Sequence, residues 1–146
     1  MGLGSVLSGW VARLAGGLRR ARPLGRRGED AAAQYLQRLG YQILARADQA
    51  KTGELDLVAR DRQTIVFVEV KTRQSPDTGR PAEAVDAAKQ RRLSRLAVTF
   101  LKRHGLLESP ARFDVIAVTW PEGQRRPAIE HFPNAFDAVG WGQFYS

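Results

Sequence analysis

Two charged residues interrupt the most strongly β-branched run of the sequence, TIVFVEVKT at positions 64–72. Side chains alternate along a strand, so Glu69 and Lys71 lie on one face and three valines lie on the other. A carboxylate and an amine this close together either form a salt bridge at the open end of the strand or belong to a site that uses both charges. The predicted face of the charged pair carries Ile65, Phe67, Glu69 and Lys71.

The preceding predicted strand, ELDLVAR at positions 54–60, supplies further acids. Asp56 shares a face with Glu69 only if the turn between the strands has an even number of residues. A four-residue loop, 61–64, places the two acids directly opposite, and a two-residue loop, 61–62, places them diagonally. A three-residue loop would send Asp56 to the other face; we predict an even loop. Alternation puts Glu54 and Asp56 on one face of this strand, and Leu55, Leu57 and Ala59 on the other.

Paired carboxylates of this kind predict a divalent metal site. Two carboxylates that face each other across neighbouring strands repel at neutral pH unless a cation lies between them. Oxygen ligands suit Mg²⁺ or Mn²⁺. A metal bound by Asp56 and Glu69 is therefore the simplest explanation of the pattern.

Polar residues also stand on the inward faces of two predicted helices. Glu29 begins the apolar stripe of a helix that Gly40 ends, although an acid in a first turn is equally explained by the helix dipole. Gln90 aligns with the apolar residues of a predicted helix from Pro81 to His104. An amide there must be paired, and it could orient a water or hold a core carbonyl.

The charge balance indicates a polyanionic partner. The chain has 146 residues with 23 Lys and Arg against 15 Asp and Glu, a net charge of +8. Near Gln90, the basic residues Lys89, Arg91 and Arg92 either form a solvated helix surface or contact phosphates. Aromatic residues do not interleave with the basic ones, so recognition of nucleic-acid backbone and shape is expected, with binding that weakens steeply as salt increases.

Other chemistries are excluded or disfavoured by residues that the sequence lacks. Cysteine is absent, which excludes disulfides, thiolate metal sites and a cysteine nucleophile. The two histidines are too few for a two-histidine helix site, and neither the phosphate-loop nor the dinucleotide glycine motif occurs. Enzymes that use classical nucleotide cofactors are therefore disfavoured.

The order of predicted elements is helix, three strands, helix, then one or two strands. This order indicates an α/β sandwich with a central mixed sheet of four to five strands flanked by helices, because the long helix can carry the chain back as a crossover. We expect one domain at 25–137, a basic leader at 1–24 and a short tail at 138–146. The predicted strands are Tyr41–Arg46, Glu54–Arg60, Thr64–Thr72, Arg112–Thr119 and Ala128–Phe132.

The leader is not read as a signal peptide, because its arginines follow the apolar part and no charged segment precedes it. It is either a frayed basic segment or a short amphipathic turn around Trp10 that touches a membrane or a partner. No apolar run approaches the length of a membrane span, and a cytoplasmic location is expected.

Four short motifs together resemble the bacterial YraN family. They are GRRGE at 25–29, GELDL at 53–57, VFVEVKTR at 66–73 and RFDV at 112–115. That family is similar to archaeal Holliday junction resolvases and to the restriction-endonuclease-like superfamily, with its acid, acid-x-lysine signature. The resemblance covers residues 25–136, and it implies a restriction-endonuclease-like fold.

The resemblance also implies roles for individual residues. Glu29, Asp56 and Glu69 match the carboxylates that coordinate Mg²⁺ or Mn²⁺, the Val70 carbonyl matches a further ligand, and Lys71 matches the basic catalytic residue. Gln90 falls where a helix can reach such a site and is a further catalytic candidate. Arg112 and Asp114 belong to the family pattern without an assigned role, and Asp114 is expected to pair with a nearby arginine. The predicted nucleic-acid contacts are Arg73, Lys89, Arg91 and Arg92.

These residues support three functional hypotheses. The first is a metal-dependent DNA nuclease that resembles a branched-DNA resolvase, an activity that would require a symmetric dimer because it makes two cuts. The second is a nucleic-acid-binding accessory protein of repair or recombination that kept the site without cleaving, with Lys71 only offsetting the carboxylate charges. The third is a basic protein that its leader recruits to a membrane or a partner.

Overall fold

The computed structural model describes residues 23–47, 55–76 and 85–139, which form an α/β domain. Five strands form one sheet in the order β1-β2-β3-β4-β5, and only the β3–β4 pair is parallel. The helix between β3 and β4 carries the chain back across the sheet, as parallel neighbours require. The elements are α1 (Leu24–Arg38), β1 (Gln42–Arg46), β2 (Leu57–Asp61), β3 (Thr64–Arg73), α2 (Ala87–Arg103), β4 (Ala111–Thr119) and β5 (Ala128–Phe136).

Each face of the sheet packs against one helix. On the α2 face, Phe67 of β3 meets Phe100 of α2 edge-to-face, with ring centroids 5.9 Å apart. On the α1 face, Val66 and Val68 pack in one cluster with Leu36 of α1. Successive β3 residues enter opposite clusters, which confirms the alternation predicted for this strand. The predicted α/β sandwich with a mixed sheet is also confirmed.

The alternation predicted for β2 is wrong at Leu55. Leu57 and Ala59 pack on the α1 face, but Leu55 joins the cluster on the α2 face. The strand begins at Leu57, so Leu55 and Asp56 precede it and are not bound by its period of two. Glu54, predicted to share the face of Asp56, lies outside the described residues.

Both helices begin at residues other than those predicted. Helix α1 begins at Leu24 instead of Glu29, so Gly28 lies within it. Gly28 is buried against β3, where an added Cβ would lie 1.9 Å from Thr72 Oγ1. The glycine thus allows the helix backbone to approach the strand. Helix α1 ends at the predicted glycine: Gly40 has φ +95° and Tyr41 N donates to Leu36 O at 3.0 Å.

Helix α2 begins at Ala87, whereas the prediction began it at Pro81. Val85 and Asp86 precede the helix, and Asp86 is its N-cap, with Oδ1 accepting from Lys89 N at 2.8 Å. The capping carboxylate satisfies a backbone N–H that has no partner within the helix, which fixes the start there. Pro81 lies outside the described residues, as do residues 1–22 of the predicted leader and the end of the predicted tail.

The fifth strand extends to Phe136, four residues beyond its predicted end. Its pairing with β4 shifts between Phe113 and Val115, and Asn134 has φ +51° beside this irregularity. Asn134 N donates to the Asp114 carboxylate at 2.9 Å. The bulge therefore lets β5 continue past Pro133 while its backbone contacts a buried acid.

Candidate metal centre

The register of β2 and β3 brings Asp56 to Glu69. Leu57 pairs with Val68 and Asp61 pairs with Thr64, so the next position beyond Leu57 faces Glu69. The prediction of an even connection is confirmed, with the register of the four-residue option. The turn is tighter than that option, because Asp61 and Thr64 also pair and Arg62 turns the chain with φ +57°.

The hydrogen bonds of the two acids leave one oxygen unsatisfied. Asp56 Oδ2 accepts from Val70 N at 2.8 Å, which ties the residue before β2 to the neighbouring strand. Glu69 is 5% exposed, and its Oε1 accepts from Lys89 Nζ of α2 at 2.5 Å. Glu69 Oε2 is buried and has no hydrogen-bond partner. A buried carboxylate oxygen without a partner is costly and requires an explanation.

The electrostatics of the pair favour a proton or a cation. Burial, and after it the nearby charge of Glu69, raise the pKa of Asp56 from 3.8 to about 8, against the hydrogen bond from Val70 N. The charge of Glu29 also raises this pKa, so Glu29 lies within electrostatic reach of the pair. Like charges confined together disfavour ionisation of at least one group. A bound divalent cation would remove that penalty.

Glu29 comes from a helix, unlike the two acids that neighbouring strands bring together. It is half-buried in α1, directly after the glycine that rests on β3. Within residues 23–47, 55–76 and 85–139, no three His, Asp or Glu side chains converge closely enough to enclose a metal ion. The ligand set of Glu29, Asp56, Glu69 and the Val70 carbonyl therefore stays a prediction.

The residues present nonetheless fit a hard divalent cation. Two carboxylates meet in a mostly buried position, one oxygen of Glu69 is unpaired, and burial together with the acidic neighbours raises the pKa of Asp56. Carboxylate oxygens are the ligands that Mg²⁺ and Mn²⁺ prefer. Asp56 and Glu69 would be the residues that hold the ion.

The predicted catalytic residues beside the acids take distinct positions. Lys71 is half-buried in β3, two residues after Glu69, and pairs in register with Ala117 of β4. Gln90 Nε2 donates to Val85 O at 2.8 Å, which is the core-carbonyl role of the two considered for it. This bond fixes the loop before α2. Catalytic roles for Lys71 and Gln90 stay predictions.

The predicted nucleic-acid contacts come from two elements, β3 and α2, and two of them bind other side chains. Lys89 points to Glu69, and Arg73 Nε donates to Thr119 Oγ1 at 3.1 Å. Arg91 and Arg92 are exposed on α2. The ion pair of Lys89 was missed by sequence reasoning, because it depends on where α2 lies against the sheet. The one local feature that indicated the position of Lys89 is the helix cap Asp86, three residues before it, which determines where α2 begins.

A second buried acid, Asp114 of β4, has the partners that the first centre lacks. It is fully buried, and it accepts from His131 Nε2 at 2.7 Å and from Arg112 Nε at 3.0 Å. Burial alone would raise the pKa of Asp114, but hydrogen bonds from His131, Arg112 and Asn134 N outweigh it and lower the pKa. The predicted pairing of Asp114 with an arginine is confirmed.

Arg112 links this acid to two further groups. Its Nη2 donates to Tyr41 Oη at 2.8 Å, and its Nη1 lies 3.5 Å from Asp61 Oδ2. Tyr35 Oη in turn lies 3.4 Å from His131 Nδ1. The network ties β4 to β5, α1 and the turn after β2, which gives the RFDV motif a structural role.

The sheet order, the crossover helix and the acid pair at adjacent strands define an α/β domain with a restriction-endonuclease-like fold. A family model described as "Uncharacterised protein family UPF0102" matches residues 28–118. The chain belongs to the UPF0102 family, which confirms the resemblance seen in the four motifs.

Relatives in several bacteria resemble the chain along most of their length. A UPF0102 protein of Rhodopirellula baltica is 49% identical over 125 residues, covering 84% of this chain and 75% of the relative. One of Geobacter sulfurreducens is 52% identical, covering 78% of this chain and 88% of the relative. One of Symbiobacterium thermophilum is 49% identical, covering 81% of this chain and 99% of the relative.

Neither described helix, α1 or α2, is long and apolar enough to cross a membrane.

Proposed function

We propose that the chain is a metal-dependent nuclease that hydrolyses DNA phosphodiesters, with a branched-DNA resolvase as the specific activity that its sequence resembles. The observation that carries this proposal is the meeting of Asp56 and Glu69 across β2 and β3, with one Glu69 oxygen buried and unpaired. Lys71 follows Glu69 in the same strand, in the acid-x-lysine order.

In the proposed hydrolysis, the acids of the site bind the metal and Lys71 stabilises charge on the phosphate. Asp56 and Glu69 would hold the divalent cation, with Glu29 and the Val70 carbonyl as the further ligands that the resemblance implies. The cation would neutralise a phosphate oxygen and lower the pKa of a water. Lys71, on the same strand face as Glu69, would stabilise the charge that develops on the phosphate. Burial of the acids strengthens each of these interactions.

The test is cleavage of labelled DNA by single-residue variants. Linear duplex, single-stranded, flap and four-way-junction DNA are incubated with Mg²⁺, Mn²⁺ or EDTA. We expect wild type to cleave at least one substrate with metal only, and Asp56→Asn, Glu69→Gln and Lys71→Met to lose at least 100-fold in rate, as removal of a transition-state interaction does. Glu108→Gln, which removes an exposed acid at the far end of the sheet, is the matched control.

Two results would overturn this proposal. One is cleavage that persists in EDTA, and the other is cleavage that all three site variants retain at the rate of the control.

A second candidate function is a nucleic-acid-binding accessory protein without cleavage, which the ion pair of Lys89 favours. The Lys89 amine already compensates one oxygen of Glu69, so the chain itself supplies part of the positive charge that a metal would bring. This function predicts that wild type and Asp56→Asn bind DNA equally in EDTA and that neither cuts any of the four substrates.

A further inference from the structure

A basic cavity lies between α1 and the turn that joins β4 to β5, outside the residues predicted to contact nucleic acid. Its volume is about 510 Å³. Four arginines line it from two elements, and Trp120, the residue after β4, forms part of its wall. We call this surface the arginine groove, formed by Arg27, Arg38, Trp120, Arg125 and Arg126.

The charge of the groove is strongly positive. Asp30 is its only acidic lining residue among those described, and Asp30 already pairs with Arg46 of β1. Arg125 and Arg126 are exposed in the turn before β5. Four cations against one compensated acid indicate an anionic ligand.

The stacking of Arg27 on Trp120 points to phosphate instead of base recognition. The Arg27 guanidinium lies 4.1 Å from the centroid of the indole ring, so that face of Trp120 is covered. Trp120 Nε1 donates to Gln124 O at 2.8 Å, which fixes the ring. A stacked guanidinium keeps its N–H edges available, and these match a phosphate better than a base face.

The dimensions of the groove suit several consecutive phosphates. Arg27 and Arg38 lie at the two ends of one side of α1, and eleven residues of helix span ~16 Å at 1.5 Å each. That distance corresponds to the rise along the helix axis of about five base-pair steps of B-form DNA. The groove therefore has the length of a short strand segment and not of a single small anion.

The groove opens at the end of the sheet that carries the acid pair. β3 and β4 are parallel, and Trp120 N donates to Arg73 O at 2.7 Å where both strands end. Glu69 and Lys71 are among the last five residues of β3 before that end. Arg27 is two residues before Glu29 in α1. The groove and the acid pair therefore share one end of the sheet, with the groove on the α1 face and the pair on the α2 face.

We infer that the arginine groove binds the phosphodiester backbone of DNA at the end of the sheet that carries the Asp56–Glu69 pair. This inference rests on the proposed function for the identity of the anion, while the binding itself requires no cleavage. The main DNA contact surface is then formed by α1 and the β4–β5 turn, whereas most of the contacts predicted from the sequence lie on α2.

The test is the salt dependence of DNA binding, measured by fluorescence anisotropy with a fluorescein-labelled duplex in EDTA. In Arg125→Gln/Arg126→Gln we expect affinity to fall about tenfold and the slope of log K against log salt to decrease by about two, one for each lost phosphate contact. The control is Arg62→Gln/Arg103→Gln, which removes the same charge from the opposite end of the sheet. Arg91→Gln/Arg92→Gln compares the surface on α2. All six positions are exposed, and circular dichroism confirms that each variant folds.

The inference is overturned if the groove variant keeps the wild-type slope, if it loses no more than the control, or if Arg91→Gln/Arg92→Gln loses more. It is also overturned if Arg125→Gln/Arg126→Gln weakens binding of the protein to vesicles of anionic phospholipid but does not weaken binding to the duplex. Because no metal is present, failure of the nuclease proposal would leave these results unchanged. Loss of cleavage with intact binding by Asp56→Asn would support both claims.

Discussion

Two buried acid centres in the described part of the chain lie on opposite faces of one sheet and differ in how many of their oxygens have hydrogen-bond partners. Asp114, on the α1 face, accepts hydrogen bonds from His131, Arg112 and Asn134 N, and its pKa is lowered. Asp56 and Glu69 meet beside α2, with a raised pKa at Asp56 and an unpaired oxygen on Glu69.

The difference separates a satisfied acid centre from an unsatisfied one, and only the unsatisfied one suits the proposed function. A buried carboxylate with all its partners stabilises the fold that surrounds it. A buried carboxylate pair without them costs folding free energy, and such a cost is characteristic of sites that bind a ligand. The contrast predicts opposite responses to the same type of substitution.

The largest expected effect is at the satisfied centre. Asp114→Ala removes the buried acceptor of the partly buried Arg112 and His131 side chains, and we expect a loss of about 3–5 kcal/mol in the free energy of unfolding. Urea denaturation measures it. Asp61→Ala removes the other, more exposed acid near Arg112 and should cost less than about 1 kcal/mol. Equal losses for both variants would contradict the structural role of Asp114.

The next effect has the opposite sign. Asp56→Asn should stabilise the metal-free protein at pH 7 by on the order of 2 kcal/mol, because the amide needs no proton or cation and its oxygen can still accept from Val70 N. The native state holds a proton on Asp56 up to about pH 8, while the unfolded chain releases it near pH 4. The contribution of Asp56 to stability therefore falls as pH rises between these values.

Thermal unfolding from pH 4 to pH 8 in EDTA measures this effect. The melting temperature of Asp56→Asn relative to wild type should increase with pH across that window. A variant that is less stable than wild type at pH 7, or a difference that does not change with pH, would show that Asp56 is a satisfied acid like Asp114.

The smallest effect concerns Lys89. Lys89→Gln removes the cation at Glu69 Oε1, so we expect a loss of about 1–2 kcal/mol in EDTA. Added Mn²⁺ should raise the melting temperature of this variant more than that of wild type, because the ion no longer competes with the Lys89 amine for Glu69. Lys102→Gln, at an exposed lysine of the same helix, is the control. An Mn²⁺ response equal to that of the control would show that Lys89 and the ion do not share a site.

The sequence alone predicted what depends on local period and turn length. The alternation of β3 and the even connection to β2 placed Asp56 on the same face as Glu69, because one face of each strand is buried and register follows from the turn. The glycine that ends α1 was also predictable, since its positive φ favours glycine.

Contacts between distant elements were not predictable from the sequence. The pairing of Lys89 with Glu69 depends on how α2 packs against β3, and the start of α2 depends on the Asp86 cap. The partners of Asp114 come from β5 through a bulge whose position no local pattern marks. The early start of α1 was missed because Gly28 suggests a loop, whereas its missing side chain makes room for Thr72.

The central claim is that the unsatisfied acid pair is a divalent cation site, and calorimetric titration with Mn²⁺ tests it most directly. Wild type and Asp61→Asn should give the same binding isotherm, and Asp56→Asn and Glu69→Gln should lose the binding heat while remaining folded. If all four proteins give the same isotherm, or if none binds Mn²⁺, the assignment of Asp56 and Glu69 as metal ligands is wrong.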